Sequence, residues 1–79
     1  MIYRLKGEKV IGLKQTKKAI NNNTAKTVYI AKDVDDNLKR SLEALIEDDS
    51  LEVVYVDTMK ELGRLCGINV GSATAALLK

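Results

Sequence analysis

The chain has 79 residues, of which 46% are apolar and 30% are charged, as is typical of a soluble globular domain. A chain of this length is too short to form two hydrophobic cores. It has no run of about 20 apolar residues, which a membrane span needs, and its first residues do not have the pattern of a signal peptide. With one cysteine and no histidine, an internal disulfide and the usual zinc spacings are excluded. We therefore expect one cytoplasmic domain over residues 1–79, without membrane association.

Charge is divided unevenly along the chain, although the net charge is only +2. Residues 1–32 carry eight lysine and arginine side chains against one glutamate, a net +7, whereas the remainder carries five against ten, a net −5. Such polarity is typical of a domain that turns a basic face toward a polyanion. On charge alone, a chance distribution of solvated lysines explains the pattern equally well.

The first predicted elements are short. Residues 1–9 fit either a short strand or an arm, and residues 10–11 fit a brief edge strand. A helix should follow and end at residues 21–24, because asparagine tolerates the left-handed conformation found at helix C-termini. The buried side of this helix is predicted to consist of Leu13, Thr16, Ala19 and Ile20.

The start of this first helix is the strongest candidate for a binding site. A helix N-terminus carries roughly +0.5 charge, so lysines there oppose the helix dipole unless an anion is bound nearby. The pattern predicts an anion site, with RNA phosphate as the favoured anion and with Lys14 and Gln15 reaching purine edges. An ordinary solvated helix start is the alternative, and it leaves the lysines unexplained. The residues of this site are Gly12, Leu13, Lys14, Gln15, Lys17 and Lys18.

The middle of the chain has a strand, helix, strand pattern. Residues 27–31 and 51–56 are β-branched, apolar runs typical of strands, and the first should be a central strand. The helix between them should be capped by Asp33 or Asp35, so this acidic cluster is interpreted as capping residues and not as a metal site. The succession predicts a parallel crossover. The apolar side of the helix would be Val34, Leu38, Leu42, Leu45 and Ile46.

Thr58 and Glu61 have capping-box spacing and should open a third helix that Gly67 ends. Residues 72–79 fit a helix or a strand, and we assign a strand because a buried terminal strand would complete the sheet. The predicted fold is α/β, a three-layer α-β-α sandwich with three helices and a mixed sheet of about four strands. The inward side of the third helix is predicted to be Met59, Leu62, Leu65 and Cys66.

A second candidate site follows the third helix, where Ile68, Asn69 and Val70 lie between two glycines. From the residues alone, a core plug is the better interpretation, and an aliphatic surface for an unstacked RNA base is the alternative. Arg64, one turn earlier, would add a phosphate contact.

Enzymatic chemistry is poorly supported by the sequence. There is no histidine, no nucleophile elbow and no P-loop spacing. Cys66 is interpreted as a small buried apolar residue. We therefore expect no catalytic residue, no metal site and no cofactor.

Three segments of the chain together resemble the kink-turn RNA-binding ribosomal proteins, typified by the archaeal large-subunit member, and most closely their short bacterial YbxF-type paralogues. The segments are Ile11–Ile20, Ala31–Asp35 and Leu62–Ala73. Their order and spacing make the resemblance specific, and it covers nearly the whole chain from residue 11.

The resemblance implies an α-β-α sandwich that binds a kink-turn, a bent RNA motif with tandem sheared G·A pairs. Residues 68–70 would cover the flipped-out nucleotides of the bulge. The residues that would enter the major groove at the G·A pairs are Gly12, Leu13, Lys14, Gln15 and Lys18. Lys32 would be an RNA contact beside the first segment. The pair Lys14 and Gln15 stands where archaeal and eukaryotic members usually carry Asn-Glu, and resembles the bacterial variants.

These patterns predict a non-enzymatic, monomeric RNA-binding protein whose partner is structured RNA, such as rRNA or a riboswitch, or the ribosome itself. One alternative is a protein-interaction module that uses the acidic helix predicted at residues 33–49. Another is the RNA-docking domain of a larger RNA-modifying enzyme, which requires a longer natural chain.

Overall fold

The structure is a computed structural model that describes residues 7–46 and 51–79. Most of the arm or strand predicted at residues 1–9 lies outside the described residues. The described part contains three helices and a four-stranded mixed sheet, as the sequence predicts. In chain order the elements are β1 (Lys9–Ile11), α1 (Leu13–Asn21), β2 (Ala25–Ala31), α2 (Asp36–Leu45), β3 (Glu52–Val56), α3 (Met59–Leu65) and β4 (Thr74–Leu78).

The sheet has the strand order β1-β4-β2-β3. Strand β4 is antiparallel to both β1 and β2, whereas β2 and β3 are parallel, as predicted for the crossover. Strands β1, β2 and β3 therefore all end where β4 begins. We term this side of the sheet the C-terminal edge; it is marked by the residues that flank the four strands there, Gly12, Lys32, Asp57 and Ala73.

The helices lie on both faces of the sheet. Tyr55 of β3, opposite Ile30 in register, donates a hydrogen bond to Glu43 of α2 (2.6 Å), so α2 lies on the Ile30 face. Tyr29 points to the other face. Burial raises its pKa most, followed by the charge of Glu52 and then by the nearby Cys66, the C-cap residue of α3, so α3 lies on this face. Helix α1 packs against α2 and the sheet. The predicted three-layer sandwich is therefore confirmed.

The core follows the predicted apolar pattern with one exception. Leu42 of α2 and Leu62 of α3 are fully buried, and Cys66 is buried, as expected. The prediction that Met59 turns inward is wrong, because its side chain is 37% exposed. Met59 is the first residue of α3, and it packs beside Gly71 at the C-terminal edge.

The cap of α2 is one of the two residues predicted for it. Asp35 is the cap, since its side chain accepts a hydrogen bond from the Asn37 amide (2.7 Å), and the helix begins at Asp36. The Asp33 carboxylate instead accepts from the Met59 amide (2.8 Å) and so caps α3. The predicted helix over 33–49 is therefore too long, because α2 begins at Asp36 and ends at Leu45; residues 47–49 lie outside the described residues.

The ends of the other helices agree with their sequence signals. Helix α1 stops before Asn23, which adopts a left-handed φ of 57°. At α3, Thr58 accepts a hydrogen bond from the Glu61 amide (3.0 Å), and Gly67 (φ 78°) follows the last turn. Within residues 7–46 and 51–79, no helix has the length and hydropathy that a bilayer crossing requires.

Candidate nucleic-acid interface

Helix α1 begins at the C-terminal edge of the sheet, after Gly12. The Gly12 amide donates to the Thr74 carbonyl of β4 (2.9 Å), which fixes the helix start against the central part of the sheet. Gly12 has φ 101° and ψ 161°, a conformation essentially restricted to glycine, and a methyl group there would meet open space. No side chain caps α1, so the amides of residues 13–15 have no intrahelical acceptor.

The lysines of α1 do not all oppose the helix dipole. Lys14 lies in the first turn, where a cation is unfavourable, but Lys18 lies in the last turn, where a cation is favourable. The expectation that Lys18 opposes the dipole is therefore wrong. Lys14, Gln15 and Lys18 are exposed, and Lys17 is half-buried. No ion pair between described residues involves these three lysines.

Leu13 has a different environment from the other predicted site residues of α1. Its side chain is half-buried and packs against the core. Leu13 therefore anchors the first turn of α1 to the core. This anchor fixes the direction in which the polar side chains that follow it project.

The loop from Gly67 to Gly71 is folded back along α3. The amides of Gly67 and Ile68 donate to the carbonyls of Arg64 and Gly63 (both 3.0 Å), the pair of bonds that defines a Schellman motif. The Ser72 amide donates to the Met59 carbonyl (3.0 Å), so the far end of the loop is tied to the start of α3. The loop is thus held at both ends by backbone hydrogen bonds.

Gly63 allows this close approach of the loop to α3. A side-chain carbon at position 63 would overlap the carbonyl oxygen of Val70. At Gly71 an added carbon would lie 3.3 Å from Met59, which is tight but not an overlap. The glycine in the middle of α3 is therefore a packing requirement of the loop that follows.

The three predicted residues of the loop are exposed to different extents. Ile68 is half-buried and packs against the core, whereas Asn69 is exposed and Val70 is 69% exposed. The core-plug interpretation fits Ile68 and is wrong for Val70. The reason is that the backbone of Val70 packs closely against Gly63 of α3, so the Val70 side chain points into solvent.

The C-terminal edge brings the separate predicted segments together. Gly12 follows β1 and Lys32 follows β2, and β4 lies between these two strands. Since neighbouring strands are about 4.8 Å apart, the backbones at Gly12 and Lys32 are separated by roughly 10 Å. The loop 67–71 leads into β4 and so meets the sheet between them. Lys32 itself forms an exposed ion pair with Asp57 (3.3 Å).

Sequence reasoning missed Lys60, which lies on α3 beside the predicted Arg64. Both side chains are exposed, and their spacing of four residues places them on one helix face. Together with residues 68–71 they line a surface cavity of about 260 Å³. The i, i+4 spacing was the signal that would have identified Lys60.

The pKa values of two further titratable side chains, Cys66 and Tyr55, are raised. Burial raises the pKa of the Cys66 thiol, although nearby Lys9 lowers it in part, so the thiol stays protonated as a buried apolar group. The hydrogen bond to Glu43 raises the pKa of Tyr55. In the described part of the chain, no group of three or more acidic or cysteine side chains is arranged to hold a metal ion.

Known proteins with similar sequences support the resemblance. The chain is 49% identical over 69 residues to "RNA-binding protein TTE2299" of Caldanaerobacter subterraneus subsp. tengcongensis, covering 87% of this chain and 84% of that protein. It is 38% identical over 73 residues to "RNA-binding protein YbxF" of Geobacillus stearothermophilus, covering 92% and 89% respectively.

A solved structure with a similar fold is the "Giardia lamblia 15.5kD RNA binding protein". The two share 27% sequence identity with a TM-score of 0.78, over 90% of this chain and 60% of that one. The sequence model of the ribosomal protein L7Ae/L30e/S12e/Gadd45 family matches residues 4–79, nearly the whole chain. The resemblance inferred from three short segments is thereby confirmed, and the chain belongs to the ribosomal protein L7Ae/L30e/S12e/Gadd45 family.

Proposed function

We propose that this chain is a non-catalytic RNA-binding protein that recognises kink-turns and stabilises their bent form. The observation that carries the proposal is the meeting, at the C-terminal edge, of the start of α1, Lys32 and the loop 67–71. Membership of a family with ribosomal proteins, and relatives that are RNA-binding proteins, support RNA as the ligand. The match of three segments of the sequence to the pattern of kink-turn-binding proteins supports a kink-turn as the RNA motif that is recognised.

Phosphates would bind at the start of α1. The unpaired amides of residues 13–15 and the exposed Lys14 and Lys18 supply donors and positive charge for an anion. Lys17 and Lys32 add further positive charge, although Lys32 also forms an exposed ion pair with Asp57. Because these lysines release counterions when they meet phosphates, RNA affinity should fall steeply as salt rises.

Base recognition would come from Lys14 and Gln15. A lysine donates to guanine O6 and N7, and a glutamine amide both donates and accepts, so the pair suits the purines of sheared G·A pairs. Gly12 helps because it has no side chain and a Cβ there would project into open space, which lets RNA approach the backbone closely.

The flipped-out nucleotides of the bulge would lie against the loop. Val70 exposes an aliphatic side chain at the tip, and covering it with an unstacked base removes apolar surface from water. Ile68 and Asn69 complete this surface, and Arg64 adds a phosphate contact from α3. The rigid anchoring of the loop favours such a role because little ordering is needed on binding.

Binding to the bent form alone shifts the RNA toward that form. The protein would then act as a monomeric clamp or assembly factor on rRNA or another structured RNA in the cytoplasm, with the ribosome as one candidate site of action. Recognition uses hydrogen bonds, charge and apolar contact, so no cofactor takes part in it.

A gel-shift comparison tests the proposal. One RNA carries a kink-turn, and the matched RNA has its G·A pairs replaced by Watson–Crick pairs. We expect the replacement to weaken binding about tenfold or more, since each good base contact contributes roughly 1–3 kcal/mol. Lys18→Ala should weaken binding to both RNAs and reduce the salt slope by about one unit.

Two results would contradict the proposal in different ways. Equal affinity for the two RNAs would exclude kink-turn recognition, but it would still be consistent with general RNA binding. No binding to either RNA at low salt removes RNA binding altogether, and favours the protein-interaction module that uses the acidic helix α2.

A further inference from the structure

A surface cavity lies between α3 and the loop that follows it. Its volume is about 260 Å³, and Lys60 and Arg64 of α3 form one side of it, while residues 68–71 of the loop form the other. Helix α3 packs on the face of the sheet opposite to α1 and α2. The cavity therefore lies on the far side of the proposed interface from Lys14 and Lys18.

We propose that this cavity is a second RNA subsite, which binds the phosphate and ribose of one nucleotide next to the bulge. The inference rests on the proposed function, because the loop 67–71 would serve both the bulge and this cavity. It adds Lys60 to the interface and gives Arg64 a defined position within it.

Helix stability does not explain Lys60, although Arg64 lies in the last turn of α3, where a cation is favourable. Lys60 lies in the first turn of α3, where a positive charge opposes the helix dipole, and like charges four residues apart repel each other. Both side chains are exposed, and no ion pair between described residues involves either of them. A bound phosphate between them would relieve both unfavourable terms.

The opposite wall suits a sugar and the edge of a base. Ile68 and Val70 supply aliphatic contact, and the Asn69 amide can donate to or accept from a ribose 2′-hydroxyl. The volume is below the roughly 300–1,000 Å³ of typical small-molecule pockets. The cavity therefore fits part of a nucleotide within a chain better than a free small ligand.

The test compares two double variants that each remove two positive charges. Lys60→Ala with Arg64→Ala alters the cavity, and Lys26→Ala with Lys79→Ala alters exposed lysines at the opposite end of the sheet, where β2 begins and β4 ends. Gel shifts would use the kink-turn RNA and its Watson–Crick counterpart over a series of salt concentrations. Circular dichroism would check that each variant stays folded.

We expect the cavity variant to bind kink-turn RNA about tenfold more weakly than the control variant. Its salt slope should be smaller by roughly 0.7–0.9 units, for one lost phosphate contact. Its preference for the kink-turn over the Watson–Crick RNA should be unchanged, because Lys14 and Gln15 are intact.

The two proposals can fail separately in this experiment. Equal affinities and slopes for the cavity and control variants overturn the subsite, while a retained kink-turn preference keeps the proposed function. If the wild-type protein binds both RNAs equally, kink-turn recognition fails, and the difference in slope between the variants still decides whether the cavity contacts phosphate. A wild-type protein that binds neither RNA overturns both.

Discussion

At the scale of single residues, Gly12 shows how backbone conformation and ligand access are separate requirements. Its φ of 101° and ψ of 161° strain any other residue type, yet there is free space around the position where a side chain would start. The sequence indicates a glycine before a basic helix. Only the structure indicates that this space is open, which the proposed approach of an RNA backbone requires.

Gly12→Ala should therefore have two separable effects. Backbone strain should lower the free energy of unfolding by about 1–3 kcal/mol, as measured in urea. The added methyl group should also weaken kink-turn RNA binding, as measured by gel shift, because it projects into the space left for RNA.

Gly7 offers a matched control for this variant. It also has a positive φ (97°) and open space around it, but it precedes β1 and so lies at the opposite end of that strand from Gly12. Gly7→Ala should lose comparable stability and keep RNA affinity. A comparable loss of affinity in both variants would mean that strain, and not the blocked space, affects binding.

At the scale of elements, α3 and the loop that follows it behave as one unit. The Schellman bonds and the bond from Ser72 to Met59 hold the loop against the helix, and the absence of a side chain at Gly63 makes room for Val70. The exposed position of Val70 is therefore a consequence of packing between a helix and its own continuation.

Gly63→Ala should displace the loop. Because the new methyl group overlaps a backbone oxygen, which cannot move as a flexible side chain does, we expect a loss of stability of about 1–3 kcal/mol and weaker RNA binding. Gly71→Ala introduces only a tight contact with Met59 and should cost less in both measurements. If Gly71→Ala lost more stability than Gly63→Ala in urea unfolding, the loop would not be constrained at Gly63.

At the scale of the whole molecule, the topology of the sheet decides which segments meet. Strands β1 and β2 are parallel because each is antiparallel to β4 between them, so Gly12 and Lys32 emerge at the same edge. Asp33 then links this edge to α3 by accepting from the Met59 amide, 26 residues away in sequence. The segments that contain Gly12 and Lys32 and the loop 67–71 are thus held in fixed positions relative to one another.

The Asp33 contact is testable by hydrogen exchange. Asp33→Ala should speed exchange of the Met59 amide and lower stability by roughly 0.5–2 kcal/mol, as expected for a lost helix cap. Asp33→Asn should retain most of the stability, since its amide oxygen still accepts a hydrogen bond.

Asp35→Ala is the internal reference for that experiment. It should speed exchange of the Asn37 amide and leave the Met59 amide protected, because each carboxylate caps a different helix. If Asp33→Ala changed only the protection of α2, the link between the C-terminal edge and α3 would be wrong.

The sequence by itself determined the elements, the three-layer fold and the family, because these depend on local signals: apolar periodicity, caps such as Thr58, and glycine or asparagine at helix ends. It did not determine that Asp33 caps α3, that Met59 is exposed, or that Lys60 lines a cavity with the loop. Those features depend on contacts between residues far apart in the chain, whose geometry is set by strand order and by the close packing at Gly63. The tertiary structure therefore decided how the start of α1, Lys32 and the loop at Val70 meet at one edge of the sheet.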